Sequence, residues 1–393
     1  MITDIQKAIA GEKLDGWLFF NFLHRDPVSD RILNLDQYRI NSRPWYYLVP
    51  AEGKPVRICH AVEPGSLEAL PGTLHIYNNR ESLSDLLSGY TEKFGVKWGA
   101  QYSRELTTVS TLDYGTALLL EDAGMKLYSS AGLIQRLSGL LDADGIKSHE
   151  DASAELYDIV SIVWSRIIEH FTSVKESSKP LLERDIQQLI LDEFEVRNMI
   201  TEHLPIVACG VNSGNPHYAP EEHNNPITAD SVLQLDIWAK FDRPGSIFAD
   251  ISWLGWTGSA VPDKIETMFS AVTAARDRCA AFIDEKLASG DEVSGFDADR
   301  ETRKVLIENG YEELIKHRTG HGIDVNVHGS GAGLDSVEFP DRRLLLEGSC
   351  FSIEPGLYSP AFGMRTEIDA YIRDGRLIIS GPGPQTEILT IQN

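Results

Sequence analysis

Five residues in the second half of the chain are of types that bind hard cations, and four of them are acids in places where free acids are costly. Asp236 ends the apolar run of VLQLDIW, and Asp250 lies inside a second such run, FADISWLGW. Glu354 directly follows the apolar residues Cys350 to Ile353 and precedes Pro355-Gly356, while Glu367 stands among Met364, Ile368 and Tyr371. His321 sits between two glycines in RTGHGIDVNVHG, and His328 follows in the same segment. A carboxylate in an apolar strand is expensive unless a partner or a metal neutralises it. Flanking glycines let the backbone come close to a site.

Taken singly, each residue has an ordinary explanation. Asp236 and Asp250 serve equally well as a turn cap and as salt-bridge partners of Arg243 or Lys240; Arg365 is the obvious partner of one glutamate; a lone histidine is more often structural. Together they form an oxygen-rich ligand set with one nitrogen. That set suits two adjacent divalent cations bridged by carboxylates and a solvent oxygen, whereas a single zinc ordinarily takes three protein ligands and water. The expected cofactor is therefore two divalent metal ions per chain (Mn2+, Zn2+ or Co2+), between which the ligand types do not choose.

The elements that position these residues follow from the pattern. RPGS between Asp236 and Asp250 supplies turn chemistry, and a hairpin there can bring both carboxylates onto one face. Upstream, GWLFFNF, PWYYLVP, PVRICHAV, LHIYNN and VKWGAQY read as strands bounded by Gly, Pro and Asn. ESLSDLLSGYTEKF and YGTALLLEDAG have helical spacing, so this half reads as a mixed α/β domain without a catalytic constellation. A long amphipathic helix is expected over AELYDIVSIVWSRIIEHFTSV, a second over ERDIQQLILDEFEVRNM, and a further pair over about 262–288 and 298–316. The domain border falls near residue 148, giving domains of 1–148 and 149–393, as the length also suggests.

Composition excludes several roles. A formal net charge of -23 would repel a phosphate backbone and an anionic membrane surface, so neither nucleic acid nor membrane is an expected partner. Trp17 to Phe20 is too short an apolar run for a signal segment or a membrane span. Cys59, Cys209, Cys279 and Cys350 are scattered without a CxxC pair and read as reduced core thiols, with the cytoplasm as the natural compartment.

The order and contexts of the five residues resemble the pita-bread metallopeptidases: methionine aminopeptidase, prolidase, aminopeptidase P and the metal-free creatinase. LQLDIW, FADISW, TGHGI, IEPGLY and MRTEID match that family's Asp, Asp, His, Glu, Glu series in order, over about residues 150 to 393. The resemblance implies an α/β (α+β) fold class, with a creatinase-like N-terminal domain followed by a pita-bread catalytic domain. It implies that Asp236 chelates one metal, that Asp250 and Glu367 bridge the pair, and that His321 and Glu354 complete the coordination of the other metal. A metal-bridging hydroxide would attack the scissile carbonyl, and Glu354 would relay the proton to the leaving nitrogen. His217, in GNPHYAP, matches the family's substrate histidine, and His328 the one that stabilises the tetrahedral intermediate. Arg365 would orient a ligand carboxylate.

The domain layout resembles the proline-handling branch. The implied activity is hydrolysis of Xaa-Pro bonds, first as an Xaa-Pro dipeptidase (prolidase), second as an Xaa-Pro aminopeptidase acting on longer peptides. The expected partner is a proline-containing di- or oligopeptide, and a homodimer is implied. A dipeptidase must hold the substrate's free carboxylate, for which Arg342 and Arg343 are the candidates by position, although ordinary surface charges would look the same. An inactive binding module or a metal-free hydrolase would be marked by lost ligands, and all five are kept. The chain departs from the family around the ligands: fourteen residues separate the aspartates instead of eleven, Asn326 and Gly329 replace acids flanking His328, and His203 stands where prolidases tend to carry Tyr.

Overall fold

The computed structural model describes residues 1–36, 38–173, 179–220 and 225–392. The chain forms two compact units, Met1–Leu137 and Ser138–Asn393. They divide upstream of the expected border near residue 148, because the long helix begins well before its amphipathic stretch. It runs Ala143–Ser173, started by Asp142, whose carboxylate accepts the Gly145 N–H at 2.8 Å. The polar letters of ADGIKSHEDAS therefore belong to a helix N-terminus.

In the first unit the five expected strands form: β1 (Gly16–Asn21), β2 (Trp45–Pro50), β3 (Val56–His60), β4 (Thr73–Tyr77) and β5 (Lys97–Ala100), joined by β6 (Lys126–Ser129). Their order is β4-β3-β2-β1-β5-β6, with the β1–β2 and β2–β3 pairs antiparallel and the other pairs parallel. β1 is buried along its whole length, as a central strand covered on both faces must be. Trp17 and Phe19 pack with Ile5, Ile9, Tyr47 and Leu133. Leu18 and Phe20 pack on the other face with Leu48, Leu87, Trp98 and Leu120. The helices Arg80–Phe94 and Tyr114–Asp122 fall where the spacing placed them.

The second unit is built on β7 (Met199–Ile200), β8 (Ile206–Cys209), β9 (Val232–Phe241), β10 (Ala249–Trp256), β11 (Cys350–Ile353), β12 (Gly356–Tyr358), β13 (Gly363–Arg365), β14 (Ile368–Arg373), β15 (Arg376–Ile379) and β16 (Leu389–Thr390). β9 lies between β10 and β7 and also pairs with β8, while β11, β14 and β15 make a second sheet and β12 pairs with β13. Leu156, Ile159, Val163 and Ile167 of the long helix bury against Leu233, Leu235, Ile237 and Ile251 of β9 and β10. The helix Glu183–Val196 joins the same core through Ile186, Ile190 and Phe194. The later pair is Asp263–Ala288 and Gly295–Glu308. The second of these starts and ends earlier than expected. Ser294 and Asp297 form a reciprocal capping box at its start, and Gly310 takes a left-handed φ of 81° just past its end.

Candidate metal centre

Strand register brings the aspartates together. β9 and β10 are antiparallel, with Asp236 opposite Ser252 and Trp238 opposite Asp250. Opposed residues share a face, so the two carboxylates lie diagonally on one side of the hairpin. Ser252 Oγ stands 2.7 Å from Asp236 Oδ1 and 2.9 Å from Glu367 Oε2; its one proton serves one of them at a time. The glutamates arrive by a second register. Ile353 of β11 pairs with Ile368 of β14, so the next residues outward, Glu354 and Glu367, face each other just past the ladder. Like charges so placed repel unless a cation lies between them.

His321 enters from an irregular segment stitched to β11: its N–H donates to Ser352 Oγ at 3.0 Å, and its carbonyl accepts the Ser352 N–H at 2.9 Å. This approach is why glycines flank it. A Cβ on Gly320 would lie 2.0 Å from the Ser352 carbonyl oxygen, and one on Gly322 within 2.8 Å of Gly331 backbone. The ring's Nδ1 is 3.3 Å from the Gly322 carbonyl, which can only accept, so Nδ1 carries the proton. Nε2 is then a free lone pair, 3.5 Å from Asp250 Oδ2 and 3.4 Å from Glu354 Oε1. That is the tautomer a metal ligand needs.

The donor set fits cations. Ligand atoms of Asp250, His321 and Glu367 lie within 4.8 Å of one another, with Glu354 against His321 and Asp236 linked through Ser252. Asp250 Oδ1 and Glu367 Oε1 are buried and have no hydrogen-bond partner within the protein. Burial, and then the neighbouring carboxylates, push Asp250 and Glu367 well above the usual carboxylate range. Glu354 behaves differently: burial works upward, but His321, Arg365 and His317 outweigh it, and its carboxyl is held low. Burial also pushes His321 down, leaving it neutral.

Arg365 is the counter-ion of the cluster. Its guanidinium ion-pairs with Asp236, donates to Ser252 Oγ at 3.0 Å and to Tyr358 Oη at 2.9 Å. The Tyr358 hydroxyl donates to His317 Nε2 at 2.7 Å, because His317 Nδ1–H is committed to the Arg318 carbonyl. Burial pushes His317 down to about 4.

The cluster forms the floor of a cavity of about 550 Å³. His203, His217, His328, Trp238 and Val327 are among its walls. His328 stacks edge-on to His321 with ring centroids 4.4 Å apart; partial burial and the His321 ring push it down to about 4. Of the sequence candidates, eight line this cavity: Asp236, Asp250, His321, Glu354, Glu367, His217, His328 and Arg365. Arg342 and Arg343 do not. Arg343 is ion-paired with Asp341 at 2.6 Å and donates to the carbonyls of Ser330 and Gly331, and Arg342 lies 3.9 Å over the Phe296 ring. The preceding aspartate, visible in DRR, was the signal that one arginine was already spoken for.

Sequence reasoning missed Ser252, His317 and Tyr358. Each sits at short spacing from a ligand (Ser252 two after Asp250, Tyr358 four after Glu354, His317 four before His321), and that spacing was the available clue.

The matching model is that of metallopeptidase family M24, over residues 155–374, which contain all five metal candidates. The chain belongs to metallopeptidase family M24. The expectation of a pita-bread metallopeptidase with a mixed α/β fold is thereby borne out. Among this M24 chain's relatives, the Xaa-Pro dipeptidase of Lactobacillus delbrueckii subsp. lactis is 32% identical over 170 residues, 43% of this chain and 42% of that protein. The Xaa-Pro dipeptidase of Lactobacillus helveticus is 30% identical over 163 residues, 41% of this chain and 40% of that protein. The aligned region thus spans well under half the length of either relative. Among solved structures, dipeptidase PepE from Mycobacterium ulcerans superimposes with a TM-score of 0.67 at 19% identity, covering 99% of this chain and 96% of that one. The Xaa-Pro dipeptidase from Bacillus anthracis gives 0.60 at 20% identity, covering 99% and 98%. These likenesses bear on the fold.

Proposed function

We propose that this M24 chain hydrolyses Xaa-Pro peptide bonds, first as an Xaa-Pro dipeptidase. The convergence of four carboxylates and one correctly tautomerised imidazole on the floor of a single cavity carries this reading. The names of the two Lactobacillus relatives support the substrate class. Asp236, Asp250, His321, Glu354 and Glu367 would hold two divalent cations (Mn2+, Zn2+ or Co2+). When bound, such cations supply Lewis acidity at the scissile carbonyl and lower the pKa of an attacking water.

The protein's own groups do the rest. Glu354, its carboxyl held low, takes the proton of the attacking water and returns it to the leaving nitrogen. His328, kept neutral, offers one N–H to the carbonyl oxygen as charge develops there. His217 and His203, at the exposed end of the cavity, face the substrate chain. Arg365, ion-paired with Asp236, keeps that carboxylate aimed.

A second reading, an Xaa-Pro aminopeptidase acting on longer peptides, draws support from the walls. Among the described residues lining the cavity, Arg365 is the one Lys or Arg, and its guanidinium is already committed. A dipeptidase would then hold the substrate carboxylate with neutral donors alone. The retained ligands count against an inactive binding module. Four buried free thiols support a reducing, cytoplasmic setting, and a homodimer completes the proposal. Hydrolysis of Xaa-Pro dipeptides, Xaa-Pro-Yaa tripeptides and N-terminal Met peptides, each with added Mn2+, Co2+ or Zn2+, tests it. Cleavage of dipeptides alone is expected. Turnover of tripeptides only replaces the first reading by the second, and no cleavage of any proline peptide sinks both.

A further inference from the structure

We propose that Asp369 is a positioning residue of the metal centre, fixing the backbone of Asp250, and that His149 anchors the strand start beside it. The proposal rests on the metal reading above. Asp369 stands on β14, two residues beyond Glu367, and is 0% exposed. Its Oδ2 accepts the Asp250 N–H at 2.7 Å. No lysine or arginine approaches it within ion-pair distance among the described residues, so this buried acid is not explained by an ordinary salt bridge.

His149, on the long helix, is equally buried. Its Nδ1 meets the Phe248 carbonyl at 2.7 Å and must donate there. Nε2 lies 2.7 Å from Ser380 Oγ and 3.8 Å from Asp369 Oδ2, and the Ser380 N–H returns to the Asp369 carbonyl at 2.9 Å. Two points at the start of β10 are thereby held: the carbonyl of Phe248, the residue just before the strand, and the N–H of Asp250. β10 emerges here from the lengthened connection 242–248, so its first residues have little ladder upstream to define them. A bridging carboxylate works only when its oxygens are aimed closely, and groups that fix a ligand's orientation matter to metal affinity nearly as much as ligands do. Asp369 and His149 supply that fixing.

The test uses the full chain, stripped with a chelator, titrated with Mn2+ by calorimetry and melted without metal. Asp369→Leu, which removes the acceptor at similar volume, should weaken Mn2+ binding by about 10–100-fold. Asp369→Asn keeps an oxygen for the Asp250 N–H and should stay within about threefold of wild type. A merely structural role predicts otherwise: Asp369→Leu would lose melting temperature while its Mn2+ affinity stayed unchanged, and that result overturns the proposal. So does Asp369→Asn losing as much affinity as Asp369→Leu. Should Asp369→Leu fail to fold, His149→Phe carries the test; an expected loss of roughly 10-fold supports the proposal, and unchanged affinity overturns it. Wild-type chain that binds no Mn2+ removes the metal reading itself, which separates the two failures.

Discussion

Both units of the chain bury acids, and a pair in the first is treated in the opposite way to a pair in the second. In the first unit, Asp26 and Asp30 are 3% and 6% exposed. Asp26 caps the helix Pro27–Ile32 by accepting the N–H groups of Val28 and Ser29, both at 3.1 Å, and also takes the Ser29 hydroxyl. Asp30 accepts from Asn21 at 3.0 Å and meets His24 at 2.8 Å. Every oxygen has a partner. In the second unit, Asp250 and Glu367 are 5% and 2% exposed, yet each keeps an oxygen that the protein leaves unmatched. Buried acids of the first kind belong to the fold, because their cost is offset locally. Those of the second kind mark chemistry, because only something from outside offsets it. Burial alone does not tell them apart; partner accounting does.

Three experiments would break or sharpen that contrast. The largest effect is expected at Glu354. Replacing it with Ala removes the proton carrier, and kcat should fall by about 10²–10⁴-fold or more, measured on whichever proline peptide the wild type cleaves. An unaltered rate would defeat the proposed mechanism.

The next concerns pH. Asp250 and Glu367 have folded pKa values raised well above 3.8 and 4.5. A raised folded pKa means stability that is fully present below the unfolded value and lost as pH rises through the folded one. The metal-free protein should therefore melt progressively lower as pH climbs from about 4. Every tenfold difference in proton affinity between the folded and unfolded chain is worth about 1.4 kcal/mol, or ~2–4 °C in a domain of this size. Glu367→Gln should flatten the slope, and saturating Mn2+ should do the same. A metal-free melting temperature that rises steadily from pH 5 to 8 would contradict the account.

The smallest effect lies in the satisfied region. Asp26→Ala loses a helix cap, and about 0.5–2 kcal/mol of stability should go with it. Mn2+ affinity should not move. If it does, the division between the two kinds of acid is wrong.

Much of the metal floor was legible in the sequence, because strand-terminal acids in apolar runs and a glycine-bracketed histidine are local signals. The hairpin carrying Asp236 and Asp250 was readable from RPGS, and the strands of the first unit from their apolar runs. What lay beyond local signals was harder. Ser252 and Tyr358 are common residue types whose importance comes from register and from a network closed across four strands. Asp369 looked like any polar residue of a strand until its partner proved to be the Asp250 backbone. Arg342 and Arg343 were misplaced because position relative to a motif says nothing about which neighbour an arginine already serves. The compact units divide upstream of residue 148, and the polar Asp, Gly and Ser residues there open a helix.

The loop that carries His328 has a bearing on how such a pocket can be altered. Gly329 packs so closely that a Cβ there would stand 2.7 Å from the Asp324 backbone nitrogen. Asp324 in turn gathers the N–H groups of Asn326 and Ser330 at 2.8 and 2.6 Å. An acid at position 329 is thus incompatible with this loop as folded, and a point substitution there cannot simply introduce one. For an engineer, a side chain at 329 requires the turn around Asp324 to be rebuilt with it.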